Sequence, residues 1–397
     1  MSQSEFVLRL REEMATRYGV PLSTVRVIFV PYRICPLGAH IDHQLGPVTA
    51  MALDHGALLA YAPSPARQVR LSSLDFPGEV IFALDDVPEM RKGEWGNYAR
   101  GAVRALQQRH PLHTGIVGLT AGGLSEGGLG SSAAIGVAYL LALEDVNGLQ
   151  VSDGENIALD QFIENNYLGL RNGILDQSAV LLSRRDHLIL IDCATVRHEL
   201  IRRADSMPAL VVLVAFSGLQ QALVGTDYNR RVGECAEAAS ILLAAVGRET
   251  EKPFLGNVKA EEYTMHRDQL SGAPARRAAH FFSEVDRVQR GVAAWRQGDL
   301  EQFGRLMTAS GESSIRNYEC GAPPLIDLYR ILINTEGIYG ARFSGAGFRG
   351  CCVALVKSDA AFQAADAVRR AYAYRYPDLA ENAPVFLCHS DNGARLL

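Results

Sequence analysis

The chain has 397 residues, 48% hydrophobic and 21% charged, with a net charge of −5 at neutral pH. That balance describes a folded globular protein long enough for two or three domains, with no basic footprint for nucleic acid. No apolar run approaches the ~18 residues needed to cross a bilayer, so no membrane partner is expected. The first residues (Met1, Ser2, Gln3, Ser4, Glu5) offer neither a basic nor an apolar leader, which predicts a cytoplasmic protein. The seven cysteines (Cys35, Cys193, Cys235, Cys320, Cys351, Cys352, Cys388) form no C-x-x-C pair. They read as reduced thiols rather than a zinc or thioredoxin-like site.

Taken in order, residues 5–18 predict an amphipathic helix with Phe6, Leu8, Leu10 and Met14 near one face. Strands are expected over 24–30, 48–53, 57–62, 69–73 and 79–84, then a helix over 95–109 and a strand over 115–119. A glycine- and serine-rich loop precedes a long apolar helix over 131–146. Helices over 154–168 and 174–183 and a strand over 187–192 follow. Arg197, His198, Arg202, Arg203 and Asp205 interrupt two apolar strands and suggest a domain change near 195–208. A strand at 210–216 opens a mainly helical second half. It ends with strands at 341–344 and 351–357, a helix over 359–374 and a strand at 384–388. The expected fold is α+β in two lobes, residues 1–200 and 201–397.

Three segments concentrate chemistry. The first runs from Gly122 through Gly123, Leu124, Ser125, Glu126, Gly127, Gly128, Leu129, Gly130, Ser131, Ser132 and Ala133 to Ala134, between a strand and a helix. Glycines permit close backbone approach, and exposed N–H groups at a helix start favour an anion. The loop lacks the G-K-[ST] of a Walker loop, and its Gly128-Leu129-Gly130 lacks the third glycine of a dinucleotide turn. A plain strand-to-helix turn is the bland alternative. The second runs from Arg33 to His43 and packs Arg33, His40, Asp42 and His43 into one short loop. Asp42 can accept two sugar hydroxyls, and Arg33 can neutralise a developing anion. A solvated His–Asp turn is the alternative, and a metal reading of His40-x-Asp42 lacks a third ligand. The third, residues 340–352, places Gly345 and Gly347 between two strands, where a tight hairpin also fits.

Together the three segments resemble the GHMP kinases, most closely the galactokinase branch. Tyr32–His43 is similar to that branch's G-R-V-N-L-I-G-E-H-T-D-Y segment, and Ser125–Ala134 to its P-x-G-x-G-L-S-S-S-A loop. Residues 340–352 match its late glycine motif, and Gly173, Ile174, Leu175, Asp176, Gln177 its G-I-M-D-Q. The likeness spans about residues 25–357. The wording P-Y-R-I-C-P-L-G-A-H-I-D-H, with G-L-R-N-G-I-L-D-Q at Gly169–Gln177, is closer still to galacturonokinases.

The resemblance implies a ribosomal-protein-S5-like first lobe, a ferredoxin-like second lobe, and ATP and Mg2+ as cofactors. It implies a small sugar acid phosphorylated at C1. Asp176 becomes the catalytic carboxylate, and its place in the first turn of a helix suits an ionised group. Arg33 becomes its partner. Gly127, Gly128, Leu129, Gly130, Ser131, Ser132, Ala133, Gly345 and Gly347 hold ATP, and Ser132 and Glu164 hold the metal. His40, Asp42, Gly173 and Tyr228 contact the sugar. Glu164 reads otherwise as a solvated helix residue and Tyr228 as an exposed helix start.

Four departures from galactokinases stand out: Ala39 for Glu, His43 for Tyr, Arg171-Asn172 for a small or apolar pair, and Arg349 inside the late glycine loop. The first three suit a carboxylate at C6. Ala39 removes a like charge, and His43 and Arg171 can supply positive charge. A kinase of galactose or glucuronate, or a silent sugar sensor on the same scaffold, are the alternatives. Oligomeric state is not legible.

Overall fold

The computed structural model describes residues 3–122, 127–219, 228–348 and 350–397. Gly123, Leu124, Ser125, Glu126 and Arg349, singled out above, lie outside the described residues. Helix α1 (Gln3–Tyr18) buries Leu10 and Met14 against Val27 and Phe29 of β1 (Arg26–Ile34) and Leu58 of β2 (Pro47–Ser64). β3 (Gln68–Ser73), β4 (Glu79–Ala83), α2 (Asn97–Gln107) and β5 (Gly115–Ala121) follow, then α3 (Ser131–Asn147), α4 (Asp153–Phe162) and α5 (Leu175–Leu182). β6 (His187–Asp192) and β7 (Arg197–Arg202) complete this half. Among the described residues the first sheet runs β13-β1-β2-β5-β3-β4, with β6 and β12 also on β2 and β7 on β6. Here β12 is Ser390–Asp391 and β13 is Arg395–Leu396.

Three local differences from the sequence reading have physical causes. β2 is one 18-residue strand, where two were expected. Asp54, His55 and Gly56 read as a polar break, but they form a bend that lets the strand serve two partners. Residues 47–50 pair with β6, and residues 58–64 pair with β5. Gly56 lies opposite Pro31, and a side chain there would run into the Val30 carbonyl. Pro31 faces Gly56 and Arg33 faces Ala52, so the extra residues lie in β2, a bulge of the kind found beside functional sites.

The expected interruption at 195–208 contains β7, which pairs with β6 along its whole length. Only Ile201 of β7 is buried, so its charges mark an outer strand guarded against mispairing rather than a linker. A division at 200/201 falls inside this strand. The helix expected over 154–168 is α4 followed by a π-helical turn at Ile163–Tyr167.

The second half contains β8 (Leu210–Phe216), α6 (Tyr228–Ala245), α7 (Ala260–His266), α8 (Gly272–Gln297), α9 (Leu300–Arg316) and α10 (Pro323–Ile333). β9 (Ile338–Phe343), β10 (Cys351–Lys357), α11 (Ala361–Arg375) and β11 (Val385–Cys388) complete it. Its sheet is antiparallel, ordered β11-β8-β10-β9. β8 and, up to its exposed last residue Lys357, β10 are apolar because they are central and buried on both faces. After β11 the chain returns to the first sheet through β12 and β13. All seven cysteines are buried as thiols.

The halves are latched by Glu284 of α8, which is fully buried. Its Oε2 accepts from the Gly38 N–H (3.0 Å), the Ala39 N–H (3.3 Å) and the Ser310 hydroxyl (3.0 Å), and Oε1 pairs with Arg287. Burial opposes its ionisation, but neighbouring His280, Arg287 and Arg342 outweigh it and hold its pKa below the usual value. Glu284→Ala strands two buried N–H groups and a guanidinium. We expect a loss of about 3 kcal/mol, read from the urea midpoint. An unchanged midpoint would show that the latch is dispensable.

Candidate active site

The end of β1 opposite the β2 bulge, the loop after it, the start of α3 and the first turn of α5 converge on one cleft of about 1060 Å³. Arg33, only 3% exposed, leaves β1 just past the bulge. Its Nε and Nη2 donate to the two oxygens of Asp176, both at 2.7 Å. Nη1 donates to the Gly128 carbonyl at 3.0 Å, and the Arg33 N–H donates to the Leu129 carbonyl at 2.9 Å. One guanidinium therefore ties the glycine loop to the start of α5. A two-point pair of this type fixes direction as well as charge.

Gly128 and Gly345 bring two loops into backbone contact. Both have positive φ (98° and 67°), and a Cβ on Gly345 would lie 2.7 Å from the Gly128 Cα. No other residue type fits there. Gly130, at φ 71°, caps α3, whose N-terminus opens on the cleft with Ser131 and Ser132. This is an anion site by backbone geometry and dipole.

Two acidic side chains crowd beside it. Glu164 sits in the π-helical turn, 1% exposed, with Oε2 accepting from Asn172 at 2.8 Å. Asp160, one helical turn earlier, is fully buried, and neither oxygen has a hydrogen-bond partner among the described residues. It lies against Gly136 of α3, where any side chain would collide with it. Burial first, and then the neighbouring carboxylates, push the pKa of Asp160 and of Glu164 upward. Tyr98 shares a hydrogen bond with Ser132 and lines the same wall. Oxygen donors from Ser132 and Glu164, with an orphaned carboxylate behind them, are the chemistry of a site for a hard divalent cation.

At the far end, Asp42 accepts from the N–H groups of His43 and Leu175. Gly173 must lack a side chain, because a Cβ would strike the Asp42 carboxylate. Burial, reinforced by Asp176, raises the Asp42 pKa to about 6. Ala39 and Tyr228 line this end, and so does His40, which stacks on Tyr318 at 4.3 Å. Ala39 is pinned on both sides: Glu284 takes its N–H, and its carbonyl faces His280 Nε2 at 2.8 Å.

Several expected contacts are placed elsewhere. Arg171 is exposed and does not line the cleft. His43 turns away to the Tyr318 hydroxyl (3.0 Å) and Gln44, and burial lowers its pKa to about 4, so it carries no charge. Leu129 and Ala133 point into the protein, and Leu129 contributes only its carbonyl. Gly347 packs on Cys320 and His40 rather than opening on the cleft. Sequence reasoning missed Asp160, Tyr98 and the Asn172 bond to Glu164. Asp160 carried a usable signal, since it precedes Glu164 by four residues and so shares its helix face.

Among the described residues, no helix is long and apolar enough to cross a membrane. Residues 97–184 match the GHMP kinases N terminal domain, and residues 292–373 match GHMP kinases C terminal. A galacturonokinase of Arabidopsis thaliana is 50% identical over 98% of this chain and 97% of its own length. A galactokinase of Roseiflexus sp. (strain RS-1) is 32% identical over 97% of this chain and 95% of its own. The structure of Lactococcus lactis galactokinase complexed with galactose superposes with a TM-score of 0.90 at 28% identity, covering 99% of this chain and 100% of that one. Methanococcus jannaschii mevalonate kinase shares the fold, with a TM-score of 0.63 at 15% identity over 94% of this chain and all of its own. The α+β fold, the two matched domains and the near full-length relatives agree, and the chain belongs to the GHMP kinases as a sugar kinase.

Proposed function

We propose that this kinase transfers the γ-phosphoryl group of ATP to the C1 hydroxyl of D-galacturonate. The observation that carries the reading is the two-point Arg33–Asp176 pair, which opens on the same cleft as the start of α3. Phosphoryl transfer needs positioning and charge stabilisation more than covalent chemistry. Asp176 orients the C1 hydroxyl and can take its proton. Arg33 holds that carboxylate in place and meets negative charge on the group in flight. Gly127, Gly128, Gly130, Ser131 and Gly345 cradle the phosphates. Ser132 and Glu164 would hold Mg2+, which when bound offsets phosphate charge. Asp42, His40 and Tyr228 bind the sugar. The first lobe, residues 1–200, carries the phosphate loop, and the second, 201–397, supplies Tyr228 and the late glycine loop.

The sugar assignment rests on the identity to a galacturonokinase and on Ala39 at the cleft wall. A glutamate at Ala39 would repel a C6 carboxylate by about 4 kcal/mol at 4 Å and an effective dielectric near 20. Galactose is the second reading, favoured by the likeness to the galactokinase structure. ADP release with MgATP, compared across galacturonate, glucuronate and galactose, decides between them. No release with galacturonate would end the proposal.

Asp176→Asn and Arg33→Ala should each lower kcat by about 10²–10⁴-fold while sugar binding changes far less. Near-normal turnover in either variant would show that the pair is not catalytic. Ala39→Glu should depress kcat/KM for galacturonate steeply and raise it modestly for galactose. Discrimination is read from that ratio, and a ratio unmoved by the substitution would show that Ala39 does not face C6.

The third expectation concerns pH. Asp42 must be ionised to accept from two sugar hydroxyls, and its pKa in the free protein is about 6. Sugar affinity should therefore fall as pH drops through about 6. Because the folded value lies above the unfolded one, Asp42 favours the fold at low pH, and that contribution is lost as pH rises through about 6. Asp42→Asn should flatten the acid limb of the KM profile. An unchanged limb would assign it to another group.

A further inference from the structure

Outside the cleft, among the described residues, Asp54, His55 and Cys388 bring a carboxylate oxygen, a ring nitrogen and a thiol sulfur all within 4.8 Å of one another. The histidine Nδ1 lies 3.0 Å from Asp54 Oδ1. His389 Nδ1 approaches the other oxygen, Oδ2, at 3.3 Å. The backbone fixes this meeting. Asp54 and His55 occupy the bend of β2, while Cys388 ends β11 and pairs with Val212. The Asp54 N–H donates to the His389 carbonyl at 2.9 Å, and the His389 N–H returns to Asp54 Oδ1 at 3.0 Å.

We propose that Asp54, His55 and Cys388 form a site for a zinc-class divalent ion, with solvent in the fourth position. One sulfur, one nitrogen and one oxygen are donors that suit Zn2+, and a thiolate excludes Mg2+ as the natural occupant. A surface Asp–His ion pair explains the two histidines but not the buried thiol beside them. Burial holds that thiol protonated in the free protein. Coordination forms the metal–sulfur bond and releases the thiol proton to solvent. With Asp54 and Cys388 as anions, a dication leaves the site neutral.

Access is provided by a cavity of about 420 Å³ lined by Asp54, Cys388 and His389. Two arginines on its wall are already engaged, Arg185 by Asp391 at 2.7 Å and Arg203 by Asp186 at 4.0 Å. The site's position gives it a role. Asp54 belongs to the first sheet and Cys388 to the second. An ion here staples the two sheets where the chain crosses between them, away from the phosphate loop. The proposal therefore stands apart from the identity of the sugar.

The test uses the full-length, reduced protein, stripped with a chelator and then titrated with cobalt(II) in excess Mg2+. The expected result is a thiolate-to-cobalt charge-transfer band that saturates at one equivalent and is removed by adding zinc. The oxygen ligands of the cleft give no such band, so the two sites are separated. Cys388→Ser should abolish the band. His55→Ala, at a half-exposed position that the fold tolerates, should weaken cobalt binding roughly tenfold or more and leave kcat unchanged. Absence of a saturable band in the parent would overturn the proposal. So would a band that survives in Cys388→Ser, or affinity unaltered in His55→Ala.

Discussion

At the phosphate end one buried guanidinium, Arg33, faces an excess of carboxylates, and that part of the cleft is arranged around the imbalance. Arg33 is committed to Asp176, while Asp42, Asp160 and Glu164 sit within range of the same pair. Burial makes each of those three reluctant to ionise. The free cleft therefore holds more acid than its own cations offset, and an incoming cation finds a site already prepared for it. The supporting structure serves this arrangement. Arg33 stands on β1 opposite the β2 bulge, the π-helical turn presents Glu164, and Gly136 makes room for Asp160. Such a turn inside an α-helix is a common device at functional sites.

The sugar end follows the opposite rule, since its titratable rings are neutral. Burial lowers the pKa of His40 strongly and brings His43 and His280 to about 4. Their work is shape and hydrogen bonding: His40 stacks on Tyr318, and His280 meets the Ala39 carbonyl. On the proposed reading, discrimination at that end rests on what is missing at Ala39 more than on a charge brought in. The buried cation lining this region is Arg342, whose Nε and Nη1 donate to the Phe343 and Cys35 carbonyls.

Much of this was legible in the sequence because local rules and tertiary packing agree. Apolar periodicity located most helices and strands, and glycine placement marked the loops that touch. The failures cluster where a local pattern carries two meanings. Alternating charge in Arg197–Arg202 looks like a linker until β6 is there to pair with it. Asp54-His55-Gly56 looks like a turn until its two neighbours are seen to need one bent strand. Arg171 and His43 were read by charge type alone, and neither side-chain direction nor burial is written in a residue's name. The meeting of Cys388 with Asp54 spans most of the chain, and no spacing rule reaches that far.

The return of the C-terminus to the first sheet has a consequence for biosynthesis. β1 pairs with β2 on one side and with β13 on the other, at Ile28↔Leu396 and Phe29↔Arg395. The native partner of that outer edge follows the whole second sheet in the chain. Domains otherwise tend to fold from the N-terminus as they emerge. Here the first lobe cannot finish ahead of the second, because its closing strand is made only after the second lobe. Completion of that sheet waits on synthesis of the second lobe, and a product cut before β13 leaves the β1 edge open to other chains.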